Sequence, residues 1–428
     1  MRLAEALADL DTRQPEGSPK PDLERMRALF DLLDDPQRTY PTIHVTGTNG
    51  KTTTSRLAAA IACAHGLPTG LYTSPHLLRV TERMAVCGEP IGEAEFADEY
   101  ERLLPFLTTV DQRVGQVTYF EALTTLGLLW FADKPVDLAV VEVGMGGTWD
   151  ATNLVDGEVA VICPIGIDHP ELGATEAAIA GEKSGIIKDG KVAVVREQIP
   201  SALDVIEARC RSVGATLRLE GRDWALQRVS TAVGGQSITV RGLHGTYEDV
   251  LLSLFGSFAG ANAAAAIVAV ESLLGRELDD DALREALATA TSPGRLEVVG
   301  RRPLIVLDGA HNPAAARALA EALPATFTWD RLHLVMAAFA DKDTAGVVAA
   351  LAPLADRTYA AANGNARSRD PEDMAAILAA AGAPGDRFAS VAAALAAATD
   401  AASEGDCILV TGSLYTVADA RRALEGTP

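Results

Sequence analysis

Apolar residues recur along this chain in two periods. Leu23, Met26, Leu29, Phe30 and Leu33 fall at helical spacing, so an opening helix is expected before Pro36 and Pro41 interrupt it. Residues 42–46 (Thr-Ile-His-Val-Thr) have the length and β-branched content of a short buried strand. That run passes into Gly47-Thr48-Asn49-Gly50-Lys51 and then into an alanine-rich helix over residues 52–65. Apolar strands are expected at 136–143, ending in a glycine cluster, and at 159–165, ending in Gly166-Ile167-Asp168-His169. A helix over 175–188 and a strand at 191–195 follow. Repetition of strand and then helix is the grammar of a parallel sheet with crossover helices.

Residues 218–254 are richer in short β patterns and turns, at Gly234-Gly235, Gly242 and Gly245, and read as an antiparallel edge or flap. Helices over 259–274 and 279–289 come next. Ser292-Pro293-Gly294-Arg295 is a turn signal. After it the alternation restarts, with strands at 304–307, 332–336, 357–361 and 407–410 and helices between them. The 428 residues exceed what one core ordinarily holds, and the restart puts a boundary within 296–301. Two domains are expected, 1–297 and 298–428.

Composition narrows the function classes. Hydrophobic residues make up 48% of the chain, enough for two cores, yet they form no uninterrupted apolar stretch of about 18 residues, so no membrane span is expected. Residues 1–21 carry early acidic residues and no apolar signal core, which points to a cytoplasmic protein. Cys63, Cys87, Cys163, Cys210 and Cys407 are scattered and lack metal-type spacing, so they read as reduced, mostly buried thiols. The net charge of −21 excludes a general nucleic-acid binder and disfavours long-range attraction of anions. Any nucleotide must be held by local cations, backbone amides or a metal.

The run from Gly47 to Thr53 supplies such a place. Small residues between a strand and a helix let backbone N–H groups turn toward phosphate oxygens, and the helix N-terminus adds partial positive charge. The Lys51 ammonium reaches outer phosphates, and Thr52 or Thr53 offers a hydroxyl to phosphate or Mg²⁺. The strict Walker spacing fails, because Val45 stands where the first glycine belongs.

This loop resembles the ATP loop of the Mur ligase superfamily, whose members make an amide from a carboxylate, an amine and ATP. Further motifs are similar to those of its folate ligases, the dihydrofolate synthase/folylpolyglutamate synthase family. They are Leu71-Tyr72-Thr73-Ser74-Pro75-His76-Leu77 with Thr81-Glu82-Arg83, then Thr118-Tyr119-Phe120-Glu121, Glu142-Val143-Gly144-Met145-Gly146-Gly147 and Asp150-Ala151-Thr152-Asn153. Gly166-Ile167-Asp168-His169, Glu182-Lys183-Ser184-Gly185-Ile186-Ile187, Pro293-Gly294-Arg295 and Leu307-Asp308-Gly309-Ala310-His311-Asn312-Pro313 complete the set in order. The lead before the loop is too short for the UDP-binding domain that Mur peptidoglycan ligases usually carry. Two positions depart from the family pattern: Thr52 where glycine is common, and Thr148-Trp149 where arginine often follows the glycine pair.

The resemblance implies an α/β fold class, Mur-ligase-like, with a parallel-sheet P-loop ATPase domain and a smaller Rossmann-like C-terminal domain. It implies ATP as co-substrate, dihydropteroate or reduced folates and L-glutamate as partners, an acyl-phosphate intermediate, and a monomer. It implies Mg²⁺ held by Ser74, Glu142 and His169, with Thr52 or Thr53 on the nucleotide side, and a carbamylated Lys183. ATP contacts are implied for Thr48, Asn49, Gly50, Lys51, Asn262, Arg295 and Asp308, and pteroate contacts for Thr118, Tyr119 and Phe120. Asp308 and His311 are candidates to receive the glutamate ammonium, which must lose a proton.

Each residue also has a plainer reading. Glu142 is a partner for a lysine, His169 a helix-entry cap or a core histidine, and Lys183 a surface lysine. Asn262 is an N-cap or a buried amide, Arg295 a hinge salt bridge, Asp308-Gly309 a turn, and Thr118-Tyr119-Phe120 packing at a helix start. Two other functions compete: a Mur-type ligase adding an amino acid to a different carboxylate, and a phosphate-binding regulator with a dead site.

Overall fold

The computed structural model describes residues 1–14, 22–168 and 170–426. The chain forms two compact units. The first comprises Met1–Val229, Ser237–Leu251 and Ala261–Ala290; the second comprises Ser230–Gln236, Leu252–Gly260 and Thr291–Pro428.

The first unit is built on an eight-stranded sheet. Its strands are β1 (Thr42–Thr46), β2 (Thr69–Tyr72), β3 (Met84–Val86), β4 (Glu89–Pro90), β5 (Leu138–Glu142), β6 (Gly157–Ile162), β7 (Val192–Val195) and β8 (Thr216–Leu219), in the order β4-β3-β2-β5-β1-β6-β7-β8. The strands β2-β5-β1-β6-β7-β8 run parallel, and the antiparallel pairings are those of β3 with β2 and with the edge strand β4. Every residue of β1 and β5 is buried, as a parallel sheet covered on both faces requires. In register, Val141, His44 and Ala160 share one face, where two apolar clusters gather the helices Tyr119–Asp133, Glu176–Lys183 and Pro200–Ser212. From β1 the chain crosses toward β2; from β6 it continues toward β7 on the other side. The carboxyl ends of β1 and β6 therefore flank a topological switch point, where open α/β sheets bind ligands.

Residues 216–219 close the edge of this parallel sheet instead of joining a flap. The β-rich region after them is a separate three-stranded sheet of β9 (Ala225–Ala232), β10 (Gly235–Arg241) and β11 (Thr246–Leu252). The helix Ser257–Leu274 is as long and apolar as a membrane span, but 67% of it is buried inside the protein. Its one charged residue, Glu271, is fully buried and accepts hydrogen bonds from Tyr247 Oη at 2.8 Å and Leu243 N at 2.6 Å. Those bonds offset the desolvation of the carboxylate.

The second unit carries a six-stranded sheet of β12 (Glu297–Arg301), β13 (Leu304–Leu307), β14 (Leu332–Met336), β15 (Arg357–Ala361), β16 (Asp386–Phe388) and β17 (Cys407–Thr411), ordered β12-β13-β17-β14-β15-β16. Only β12 is antiparallel to its neighbour. Its core joins Val306, Leu334, Met336 and Leu409 to the helices Pro313–Thr326, Thr344–Leu351 and Pro371–Ala380.

The expectation of five reduced thiols is corrected at one pair. Cys63 and Cys87 form a disulfide across 24 residues of sequence; Cys163, Cys210 and Cys407 are free and buried. Cys63 lies in the last turn of the helix that follows the phosphate loop, and Cys87 sits in the turn between β3 and β4. Only the folding of β2 between them brings the two together.

Candidate active site

β1 delivers the chain into the phosphate loop at the switch point. Gly47 and Gly50 have φ of +151° and +90°, and Gly50 is the N-cap of the helix Lys51–Ala64. A side chain at either would also collide: a Cβ on Gly47 would lie 2.5 Å from the Cys163 Cβ, and one on Gly50 would lie 2.6 Å from Asn262 Oδ1. Glycine at these two places is thus required by conformation and by close approach. Thr48 fastens the loop to the end of β6. Its N–H donates to Pro164 O at 2.9 Å, and its hydroxyl both donates to Gly166 O at 2.8 Å and accepts from Gly166 N at 2.9 Å. Asn49 belongs to the same turn.

Two lysines meet here. Lys51 Nζ curls back to donate to Gly47 O at 3.0 Å and Thr48 O at 3.4 Å. Lys183 Nζ, at the end of the helix Glu176–Lys183, donates to the same Gly47 O at 2.9 Å. Lys183 is buried. Burial, reinforced by the charge of Lys51, lowers its pKa to about 7. The Lys183 ammonium thus loses its proton far more readily than an exposed lysine's. A small cavity opens among Gly47, Thr48, Lys51, Gly166, Asp168 and Lys183.

Beside the lysines lies Glu142, buried at the end of β5. The Thr52 hydroxyl donates to its Oε1 at 2.8 Å and the Ser74 N–H to its Oε2 at 3.3 Å. Thr52 from the first turn of the helix Lys51–Ala64, Ser74 from beyond β2 and Glu142 from the end of β5 are therefore gathered together, and Thr53 follows as a buried hydroxyl. His169 lies outside the described residues. Among the described residues no three His, Cys, Asp or Glu side chains form a preformed metal cage. The donors are one carboxylate with neighbouring hydroxyls, hard oxygen chemistry. That suits Mg²⁺, which binds through few protein groups and keeps waters and phosphate oxygens as its other ligands.

The position of the Thr148-Trp149 departure is absorbed locally. Thr148 N–H and hydroxyl both donate to Glu182 O, at 3.0 and 2.9 Å, and Trp149 N donates to Glu182 Oε1 at 3.3 Å. Asp150, quoted in the sequence motif without a role, holds the glycine cluster: its Oδ2 accepts from Met145 N at 2.9 Å and its Oδ1 from Thr152 N at 3.0 Å.

Thr118, Tyr119 and Phe120 open the helix Tyr119–Asp133. Thr118 is its N-cap, forming a capping box with Glu121 at 3.2 and 2.8 Å. Phe120 packs where a Cβ on Gly144 would come 2.5 Å from its ring, and the Arg83 guanidinium lies 5.6 Å from the centre of the Tyr119 ring. Asn262 stands against Gly50, and its Oδ1 accepts from Arg196 Nη1 at 2.9 Å. Arg196 follows β7 directly. Sequence reading passed it over, though an arginine at the carboxyl end of a parallel strand is itself a signal.

In the second unit, Asp308 follows β13 and is buried. Its Oδ2 accepts from Leu296 N at 2.7 Å and its Oδ1 from Ala310 N at 2.8 Å, while burial raises its pKa against the opposing pull of Arg295. Gly309 N donates to Gly294 O at 2.9 Å, and a Cβ on Gly309 would lie 2.6 Å from Arg295 Nη1. The Pro293-Gly294-Arg295 turn and the Asp308 loop are thus one zippered structure. His311 Nδ1 lies 2.9 Å from Gly309 O within it.

Residues 45–270 match the model of the Mur ligase middle domain, and residues 294–414 match that of the Mur ligase glutamate ligase domain. A dihydrofolate synthase/folylpolyglutamate synthase of Mycobacterium tuberculosis is 41% identical over 98% of this chain and 93% of its own. The solved structure of a Mycobacterium tuberculosis folylpolyglutamate synthase complexed with ADP superposes with a TM-score of 0.95 at 40% identity, over 100% of this chain and 98% of that one. An E. coli FolC in complex with DHPP and ADP gives a TM-score of 0.89 at 33% identity, over 100% and 98%.

Proposed function

The chain belongs to the dihydrofolate synthase/folylpolyglutamate synthase family of Mur ligases, and on that premise we propose that it joins L-glutamate to the carboxylate of dihydropteroate or a reduced folate, with cleavage of ATP to ADP and phosphate. A carboxylate does not condense with an amine at neutral pH, because its leaving group is too poor. An oxygen of the acceptor carboxylate attacks the γ-phosphorus and ADP departs. The glutamate amine, having lost its proton, then attacks the acyl carbon and phosphate leaves.

Several anions must be held together, so positive potential and positioning dominate the work. The observation that carries this reading is the convergence of Lys51 and Lys183 on Gly47 O beside the N-terminus of a helix. Thr48, whose own N–H is held by Pro164 O, lines the loop with Asn49 and Gly50, and their backbone and the Lys51 ammonium take the phosphates; Asn262 takes another part of the nucleotide. Ser74, Glu142, His169 and Thr52 or Thr53 would hold Mg²⁺, which when bound supplies charge neutralisation across the phosphates. The Lys183 amine, freed of its proton near neutrality, attacks CO₂ and releases one proton to give a carbamate anion. Thr118, Tyr119 and Phe120 take the acceptor's rings. Arg295, Asp308 and His311 form the second domain's share, with Arg295 and Asp308 on the nucleotide and Asp308 and His311 on the glutamate ammonium. The enzyme works as a cytoplasmic monomer, which light scattering and cell fractionation test.

ADP release distinguishes the readings. With dihydropteroate or a reduced folate, turnover is expected only when L-glutamate is also present. Turnover with neither acceptor, and with a different carboxylate instead, would transfer the chain to another Mur-type specificity.

A further inference from the structure

We propose that Arg196 is a positioning residue for ATP, acting through Asn262, an inference that rests on the nucleotide role given to Asn262 above. Arg196 emerges from β7, and its guanidinium is shared between two acceptors. Its Nε donates to Glu220 Oε2 at 2.8 Å, and its Nη1 donates to Asn262 Oδ1 at 2.9 Å. Glu220 follows β8 and also accepts from Glu197 N at 2.8 Å, so the acid that anchors Arg196 is itself fixed by backbone. The two side chains of the ion pair are 11% and 14% exposed, which removes most solvent competition for the contact.

An arginine has donors only, so the amide of Asn262 has one orientation in this contact, with its oxygen toward Arg196. Its two Nδ2 hydrogens are then the donors left for a nucleotide. Asn262 is buried, and Gly50 bounds it on the phosphate-loop side. The charge of Arg196 is matched by Glu220, so its contribution is orientation of a neutral donor, not attraction of phosphate. The chain of contacts Glu220–Arg196–Asn262 spans three elements, two adjacent strands and the helix Ser257–Leu274. It sets the amide before ATP arrives, which lowers the ordering cost of binding.

The test is steady-state kinetics of Arg196→Met, Asn262→Ala and the double variant, with thermal unfolding of each. Loss of one buried hydrogen bond to a charged donor is expected to raise the KM for ATP about tenfold in Arg196→Met. Its kcat and its KM values for glutamate and the folate acceptor stay within about threefold. Arg196→Lys, which keeps one donor, recovers part of the loss. The double variant is expected to match Asn262→Ala, because a pair acting as a unit is non-additive. Additive effects on KM, or a KM for ATP unchanged in Arg196→Met while Asn262→Ala is impaired, would overturn the positioning role and leave the ligase reading intact. A KM for ATP unchanged in Asn262→Ala would remove the nucleotide role of Asn262 and this inference with it.

Discussion

The phosphate-loop cluster of the first unit and the Asp308 cluster of the second handle charge in opposite ways. Around Gly47, two lysine side chains crowd onto one carbonyl, and burial pushes one of them toward neutrality. That concentration of positive potential is costly without an anion, and it is what an anion site needs. Around Asp308, a buried carboxylate already accepts two backbone N–H bonds and has Arg295 nearby. In the first cluster the charges of Asp168 and Asp150 only partly oppose the burial of Lys183 and its repulsion by Lys51. The second is satisfied within the protein, so a large part of its role is to lock the turn that opens the second domain.

Substitutions break that comparison in separable ways. Lys51→Ala is expected to reduce ligation by at least about a thousandfold, the scale of losing a main transition-state cation, with the melting temperature nearly unchanged. Near-normal turnover in that variant would end the phosphate-loop assignment. Asp308→Ala is expected to show a stability loss of about 3 kcal/mol in urea unfolding, because it orphans two buried N–H groups. An Asp308→Ala protein of unaltered stability but no activity would show that the second cluster is also built for ligand.

The Lys183 contrast is sharpened by pH. Its folded pKa, about 7, lies below the ordinary lysine value of 10.5, so the unfolded chain binds the extra proton between the two. The penalty for burying this group is full below pH 7 and fades as pH rises toward 10.5. In CO₂-free buffer, wild-type stability relative to Lys183→Met is therefore expected to climb from about pH 7 to about pH 10. A flat difference would mean that Lys183 is solvated. The smallest effect concerns Thr118. Thr118→Ala is expected to cost about 1 kcal/mol of stability through the lost cap. A change in KM for the folate acceptor beyond that loss would support the acceptor contact as well.

The strand-to-helix alternation was readable because local pattern governs it: the strands β1 and β13, the helix after Lys51 and the turn at Pro293-Gly294 stand close to where periodicity puts them. The edge strands were harder. β8 carries only partly buried residues after an exposed start, so its pattern merged with that of the neighbouring small sheet. The site was legible where a motif is contiguous, as at Gly47–Thr53 and Glu142–Gly147. Arg196 was not, because its significance comes from Glu220 and Asn262, which lie 24 and 66 residues away in sequence.

By itself the sequence determined the alternation of the main parallel strands with helices, the phosphate loop and the family. Each of these depends on neighbouring residues and on the spacing of small and charged side chains. Tertiary structure alone decided that Lys183 would share a carbonyl with Lys51 across 136 residues, that Cys63 would meet Cys87, and that Asn262 would face its oxygen to an arginine. Desolvation and the coupling between charges depend on distance in space, and that distance exists only once the sheet has closed around them.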